Sequence, residues 1–312
     1  MPTVTTLAGV CEVHRYGRDA PAPSLLIELP HGATERAHYD AVAARLASPL
    51  PARLEQFFHV NTDFGVPELA ARVAELLTTG TRKDRTMGIV VVRALVPRTF
   101  IDLNREIAGG AAAGTQPGMT PGLPTYIADP RDRQLLISLY QQYHATMEGL
   151  YRETCGGGGR GGGIALTLHS YSPRSVEVEV DADIVSALRA AYRPEAYGRW
   201  TQRPGVDFIT QDTDRNDLSP PGLVSALRAA YLELGLEVGE NTTYHLHAAT
   251  MGYRYSAAYP GQVLCAEFRR DLLGAPWRPF VPSRVGPRKV ARLARPLVEG
   301  LAAALSRTTT AR

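Results

Sequence analysis

The sequence predicts an α/β fold: a mostly parallel or mixed central sheet flanked by helices on both faces. Four short runs are almost continuously apolar rather than alternating, SLLIEL at 24–29, GIVVVRAL at 88–95, GIALTL at 163–168 and QVLCAEF at 262–268. Such runs are strands buried on both faces, the habit of parallel sheets. Helical segments lie between them, so the two kinds of element alternate along the chain. The 312 residues are 44% hydrophobic and 21% charged, a composition that supports a sizeable core. Residues 1–312 are read as one α/β domain, an ordinary size for that class.

Each of the four runs is bounded by turn residues, which sets its length at that of a strand. Amphipathic helical spacing is read at 36–47 (RAHYDAVAARLA), 67–78 (PELAARVAELLT), 131–154, 220–234 and about 287–306. Residues 108–124 (AGGAAAGTQPGMTPGLP) have no periodicity and are expected to form a flexible surface loop or lid. The glycine-rich CGGGGRGGG at 155–163 precedes a strand. A phosphate-cradling loop needs the order strand, loop, helix and a Lys-Ser/Thr ending, so a flexible connector is expected here. The octamer VSALRAAY occurs at 185–192 and again at 224–231, both times with a helical pattern. Two copies without a shared flanking period do not make a solenoid.

The charge balance excludes several partners. Net charge is +3, and the two lysines, Lys83 and Lys289, stand among 34 basic residues. An arginine bias of this kind reflects coding composition, and so small a net charge predicts neither a nucleic-acid nor a membrane partner. The three cysteines, Cys11, Cys155 and Cys265, are far apart and odd in number, which suits no disulfide framework or CxxC metal knot. No basic-then-apolar leader is visible and no apolar run approaches ~18 residues. The expected location is the reducing cytoplasm.

The residues at the end of each strong strand carry the chemistry. The first run leads into PHGATE with His31, the second into RTFIDLNR with Asn104 and Arg105, the third into LHSYS with His169 and Ser170. The fourth carries Glu267 itself, in CAEFRRD. Ligands of open parallel sheets bind at the carboxyl ends of the strands, so these groups converge on one edge. Each alone has a bland structural reading. Together they suit a catalytic zinc site, which takes three N/O protein ligands and leaves a position open. A carboxylate outside the ligand set then serves as general base.

The ordered motifs PHGATE, NTDFGVPELA, IDLNR, YQQYH, LHS, GENTTY and CAEFR resemble the N-formylglutamate amidohydrolase family over roughly residues 24–271. They are more distantly similar to zinc carboxypeptidases and aspartoacylase-type deacylases, which share the order His, Asn-Arg, His, Glu. The resemblance implies a phosphorylase/hydrolase-like, zinc-carboxypeptidase-like fold, bound Zn²⁺, and hydrolysis of an N-acyl amide beside a carboxylate. It assigns His31 and His169 as metal ligands. Asp63 in TDFGV resembles a family aspartate and is favoured as third ligand. Glu35 is the alternative, although carboxypeptidase-type His-x-x-Glu spacing is one residue shorter. Glu35 otherwise reads as a helix-start carboxylate favoured by the dipole.

By the same resemblance Glu267 is the general base, taking a proton from water and delivering it to the leaving amine. Asn104 and Arg105 resemble a clamp for the substrate carboxylate, the guanidinium offering a planar two-point fit. Asp102 is expected to orient Arg105 or a metal-bound histidine. Arg98 is a candidate for polarising the scissile carbonyl, and equally for a rim ion pair. His144 in YQQYH matches a family helix histidine and reads as structural or as support for a ligand. His245 and His247 alternate in the strand manner and face opposite sides, so they do not make a metal pair.

The leading reading is a zinc-dependent amidohydrolase acting on an N-acyl (N-formyl-type) amino acid or a similar carboxylate-bearing small molecule. A carboxypeptidase-like peptidase or a deacylase acting on a peptide or secondary metabolite is the alternative enzyme. A non-catalytic binding protein on the same scaffold is the alternative of another class. The segments 108–124, 176–184 and 251–261 are expected to reshape the pocket.

Overall fold

Among the described residues, eight strands build one mixed sheet: β1 (Thr3–Leu7), β2 (Cys11–Tyr16), β3 (Pro23–Leu29), β4 (Gly88–Ala94), β5 (Ile164–Tyr171), β6 (Val206–Ile209), β7 (Val238–Glu240) and β8 (Val263–Arg269). The computed structural model describes residues 1–17, 22–79, 87–107, 121–157 and 162–310. Strand order is β1-β2-β4-β3-β5-β8-β6-β7. The four runs read from the sequence are β3, β4, β5 and β8, and they form the parallel centre, β4-β3-β5-β8. Antiparallel pairing begins on either side of it, β2 on β4 and β6 on β8.

Helices cover both faces. They are α1 (Arg36–Ala43), α2 (Leu54–Asn61), α3 (Val66–Thr79), α4 (Pro130–Cys155), α5 (Ile184–Ala191), α6 (Pro194–Tyr197), α7 (Leu223–Glu233), α8 (Met251–Ala258) and α9 (Pro287–Thr310). Leu26, Val90, Val92, Ala165 and Val263 pack on one face with residues of α1, α2, α4, α5 and α8. Leu25, Ile27, Val91, Leu166 and Leu264 pack on the other with α3, α7 and α9. Neighbouring residues of one strand serve opposite cores, and that is why the runs show no alternation.

Element boundaries differ from the sequence reading where local chemistry intervenes. The first helix ends at Ala43 rather than at 47. The helix read at 220–234 begins at Leu223, after Pro220, Pro221 and a left-handed Gly222. Helix α4 begins at Pro130, whose missing N–H costs nothing at that position, and Asp129 caps it by accepting from the Arg131 N–H. The hairpin β1–β2 and the short strands β6 and β7 left no apolar run to read, since β1 is exposed along its whole length and β7 has three residues. Both VSALRAAY copies are helical, in α5 and α7, and they lie on opposite faces of the sheet.

The loop expectation at 108–124 falls largely outside the described residues, as do 158–161 of the connector expected at 155–163. Of the other segments expected to reshape the pocket, 251–258 is α8, whereas Val176, Val178 and Val180 are half-buried against the core. The three cysteines are buried and free. No helix among the described residues is long and apolar enough to cross a membrane.

Helix α9 closes the second core, with Leu297 and Leu301 fully buried. Leu301→Ala should cost about 2–5 kcal/mol through lost burial and the cavity left behind. Urea unfolding of the two proteins measures it.

Candidate active site

The carboxyl ends of the central strands present the groups. His31 follows β3, and His169 lies in β5 with Glu267 of β8 as its register partner. Arg98, Asp102, Asn104 and Arg105 follow β4, and Asp63 lies in the turn between α2 and α3. Two glycines allow these turns to close. Gly65 has φ +79°, and a Cβ there would stand 2.7 Å from Leu273 Cβ. A Cβ on Gly32 would stand 2.8 Å from Arg93 Cγ. The Thr62 hydroxyl donates to Ala33 O at 3.0 Å, tying the Asp63 turn to the His31 loop.

His31 Nδ1, His169 Nδ1 and Asp63 Oδ2 face one another. The two nitrogens are 3.2 Å apart, and Asp63 Oδ2 is 3.2 Å from His31 and 2.8 Å from His169. All three side chains are buried. His31 Nε2 lies 2.7 Å from Asp102 Oδ1. A carboxylate only accepts, so Nε2 carries a hydrogen, and Nδ1 is the nitrogen left to face a ligand. That nitrogen converges with another ring nitrogen and a carboxylate oxygen, a donor set that one cation can share. Ligand atoms held about 2.0–2.2 Å from one zinc stand roughly 3.3 Å apart. The donor set and its spacing fit such an ion.

The charges around this group are arranged in a chain. Arg98 Nη2 donates to Asp102 Oδ2 at 2.8 Å, and Asp102 Oδ1 also accepts the Asn104 N–H at 2.9 Å. Burial pushes Asp102 up, but Arg98, His31 and Arg105 outweigh it and hold the carboxyl well below the usual range. Asp63 behaves alike: burial opposes ionisation, and His31 and His169 overcome it. Glu267 is different. Burial pushes it up to about 7, and its Oε2 is enclosed with no hydrogen-bond partner among the described residues. A carboxyl poised there can both accept and return a proton near neutrality.

Asn104 is fixed from two sides. Its Oδ1 accepts from the Gly252 N–H at 3.1 Å, at the start of α8, and its Nδ2 lies 3.4 Å from His169 Nε2. Arg105 is half-buried, and burial lowers its pKa. Its carbonyl accepts from the Tyr140 hydroxyl at 2.9 Å. Glu35 stands outside the His31–Asp63–His169 group. Its side chain is 61% exposed and pairs with Arg93 at 2.8 Å, at the cap of α1. His144 packs between Tyr140 and Tyr143 on α4, and burial lowers its pKa to about 4. His245 is exposed, and His247 Nδ1 accepts from the Ala249 N–H, with buried Leu246 between them.

Two arginines escaped the sequence reading. Arg270 is 3% exposed, donates to Val60 O and Ser170 O, and lies 3.7 Å from Asp63 Oδ1. It braces the carboxylate from behind, and its only sequence signal was its place directly after CAEFR. Arg203 lies against the rings of Tyr171 and Tyr244 and donates to the Tyr244 hydroxyl at 2.9 Å. Its charge acts on Glu267. A lone arginine in a loop gives no local signal of that placement.

A family model described as N-formylglutamate amidohydrolase matches residues 23–273. The chain is similar in structure to an N-formylglutamate amidohydrolase from Ralstonia eutropha JMP134, with a TM-score of 0.56 and 18% identity over 96% of this chain and 98% of that one. It is similarly related to a gene product of Agrobacterium tumefaciens, with a TM-score of 0.55 and 20% identity over 95% of each chain. At such identities the structural likeness is one of fold. No curated protein matches the chain.

Proposed function

The chain belongs to the N-formylglutamate amidohydrolase family, and from that premise we propose that it is a zinc-dependent hydrolase cleaving the amide of an N-acyl amino acid or a similar carboxylate-bearing amide. The observation that carries the reading is the convergence of His31 Nδ1, His169 Nδ1 and Asp63 Oδ2, with Asp102 holding the far nitrogen of His31. Zinc held by those three atoms would supply Lewis-acid activation of water and of the amide carbonyl.

The remaining roles belong to the chain. Glu267 takes a proton from the attacking water and hands it to the departing nitrogen. Asn104 and Arg105 hold the substrate carboxylate and so set the amide over the site. Arg98, fixed in place by Asp102, polarises the scissile carbonyl. Asp102 keeps His31 in the tautomer that offers Nδ1.

Elemental analysis tests the ligand set. Wild-type protein should carry stoichiometric zinc, and His31→Ala, His169→Ala and Asp63→Ala should each lose nearly all of it, whereas Glu35→Ala should keep it. Retention in any of the first three removes that residue from the set. Loss in Glu35→Ala would restore Glu35 as a ligand.

Glu267→Gln should keep zinc while losing about 10²–10⁴-fold in turnover. The base must be ionised to work, so kcat/KM should fall as pH drops through the Glu267 pKa, which burial raises to about 7. A cation at the ligand set favours the ionised form and moves that limb lower. A pH profile with no acid limb, or full turnover in Glu267→Gln, would remove Glu267 from the mechanism.

A matched pair of substrates, one with the free carboxylate and one with the carboxamide, tests the clamp. Arg105→Ala should depress kcat/KM far more for the acid than for the amide, and Arg105→Lys should rescue only part, because an ammonium lacks the planar fork. Equal losses on both substrates would assign Arg105 to structure rather than to the carboxylate.

A further inference from the structure

Glu28 is a carboxyl next to the last residue of the central strand β3, only 2% exposed, and none of the catalytic roles assigned to the chain uses it. Three hydroxyls converge on it. Tyr143 donates to Oε1 at 3.0 Å, Tyr151 to Oε2 at 2.7 Å, and Thr167 lies 3.5 Å from Oε2. Among the described residues no basic side chain pairs with it. Burying a carboxyl inside a sheet is unfavourable unless something answers its charge.

The sheet register shows what lies above it. Glu28 pairs with Thr167, and Thr167 pairs with Cys265. Two residues further along the same strands, His169 pairs with Glu267. Residues two apart share a face and stand roughly 7 Å apart along the strand. The Glu28 layer is therefore the floor directly beneath the catalytic layer. Burial pushes the Glu28 carboxyl up and outweighs the hydroxyls and His169, which pull against that rise and which a bound cation would reinforce.

The catalytic layer itself is rich in positive charge. Arg98 and Arg105 act on Asp102, Arg270 acts on Asp63, and Arg203 acts on Glu267. A divalent ion placed among those arginines adds two further charges. The few carboxylates at that level are already engaged as ligand, as partner of His31, or as base. A charge in the floor reaches the ion without competing for any of those places, since interactions in a buried site are weakly screened.

We propose that Glu28 is a buried counter-charge for the cation site, a carboxylate that touches no ligand and strengthens divalent-metal binding from the layer beneath. The proposal rests on the metal reading given under Proposed function. The Tyr143 and Tyr151 hydroxyls act in place of water, solvating the carboxylate so that it can stay ionised when the metal is bound.

Zinc affinity, measured by competition with a chromophoric chelator at fixed pH, tests this on wild type, Glu28→Gln and Thr167→Val. Glu28→Gln keeps the shape and removes the charge, and should weaken zinc by about tenfold or more. Thr167→Val disturbs the same packing but leaves both tyrosine hydroxyls on the carboxylate, and should stay within about threefold. Wild-type affinity in Glu28→Gln overturns the proposal, and so does an equal loss in both variants, which would assign the effect to packing. If Glu28→Gln does not fold, Glu28→Met/Tyr143→Phe/Tyr151→Phe leaves neither phenol without a partner and carries the same measurement with the same expected loss. Absence of zinc binding by wild type overturns the metal reading itself, which separates that failure from failure of the Glu28 assignment.

Discussion

Strands β4, β3, β5 and β8 are covered by helices on both faces, so their side chains can meet a ligand only where the strands end. Along most of their length they must be apolar or internally satisfied. At their carboxyl ends the cover opens, and His31, His169, Glu267 and the 98–105 segment emerge there together. The candidate active site is thus a consequence of how the sheet is buried. The same constraint makes Glu28 conspicuous, because it is a carboxyl buried in the sheet and answered by hydroxyls alone among the described hydrogen-bond partners.

Electrostatic order at the site is built as a chain from outside to inside. Arg98 holds Asp102, Asp102 holds His31, and His31 faces Asp63, which Arg270 braces from the far side. Each buried charge has an opposite charge or a hydrogen bond next to it, and that condition lets a buried ionic network persist. Breaking one link would leave its partner exposed to the full cost of burial. Glu267 departs from this pattern, since burial outweighs the groups that favour its charge. In the proposed mechanism, the contrast between two carboxyls held ionised and one raised toward neutral pH is what separates binding from proton transfer.

The helical layer contributes more than cover. The Gly252 N–H at the start of α8 takes Asn104 Oδ1 and turns the rest of that amide toward His169. Helix α8 also stacks Tyr255 on Tyr151 at 3.8 Å, and Tyr151 donates to Glu28. The proposed clamp, the candidate catalytic layer and its floor are therefore joined through groups of α4 and α8. That gives these helices a role in orienting polar groups as well as in burying apolar ones.

The sequence by itself determined the central strands and most of the helices, because continuous apolar runs and helical spacing are local patterns. It also supplied the residue types, His31, His169, Asn104, Arg105 and Glu267, since each stands at a strand end that apolar periodicity marks. Only the tertiary structure decided between Asp63 and Glu35 as neighbours of the two histidines. Asp63 reaches them from a turn between two helices, and Glu35, four residues from His31, turns outward to Arg93. Nor did spacing reveal Arg203 and Arg270, or say which of the partners expected of Asp102, Arg105 or a histidine, it would meet; it bonds His31. Proximity in the chain fixes what a short segment can form. Which side chains meet across a sheet depends on register and on turn geometry, and those are set by the packing of the whole molecule.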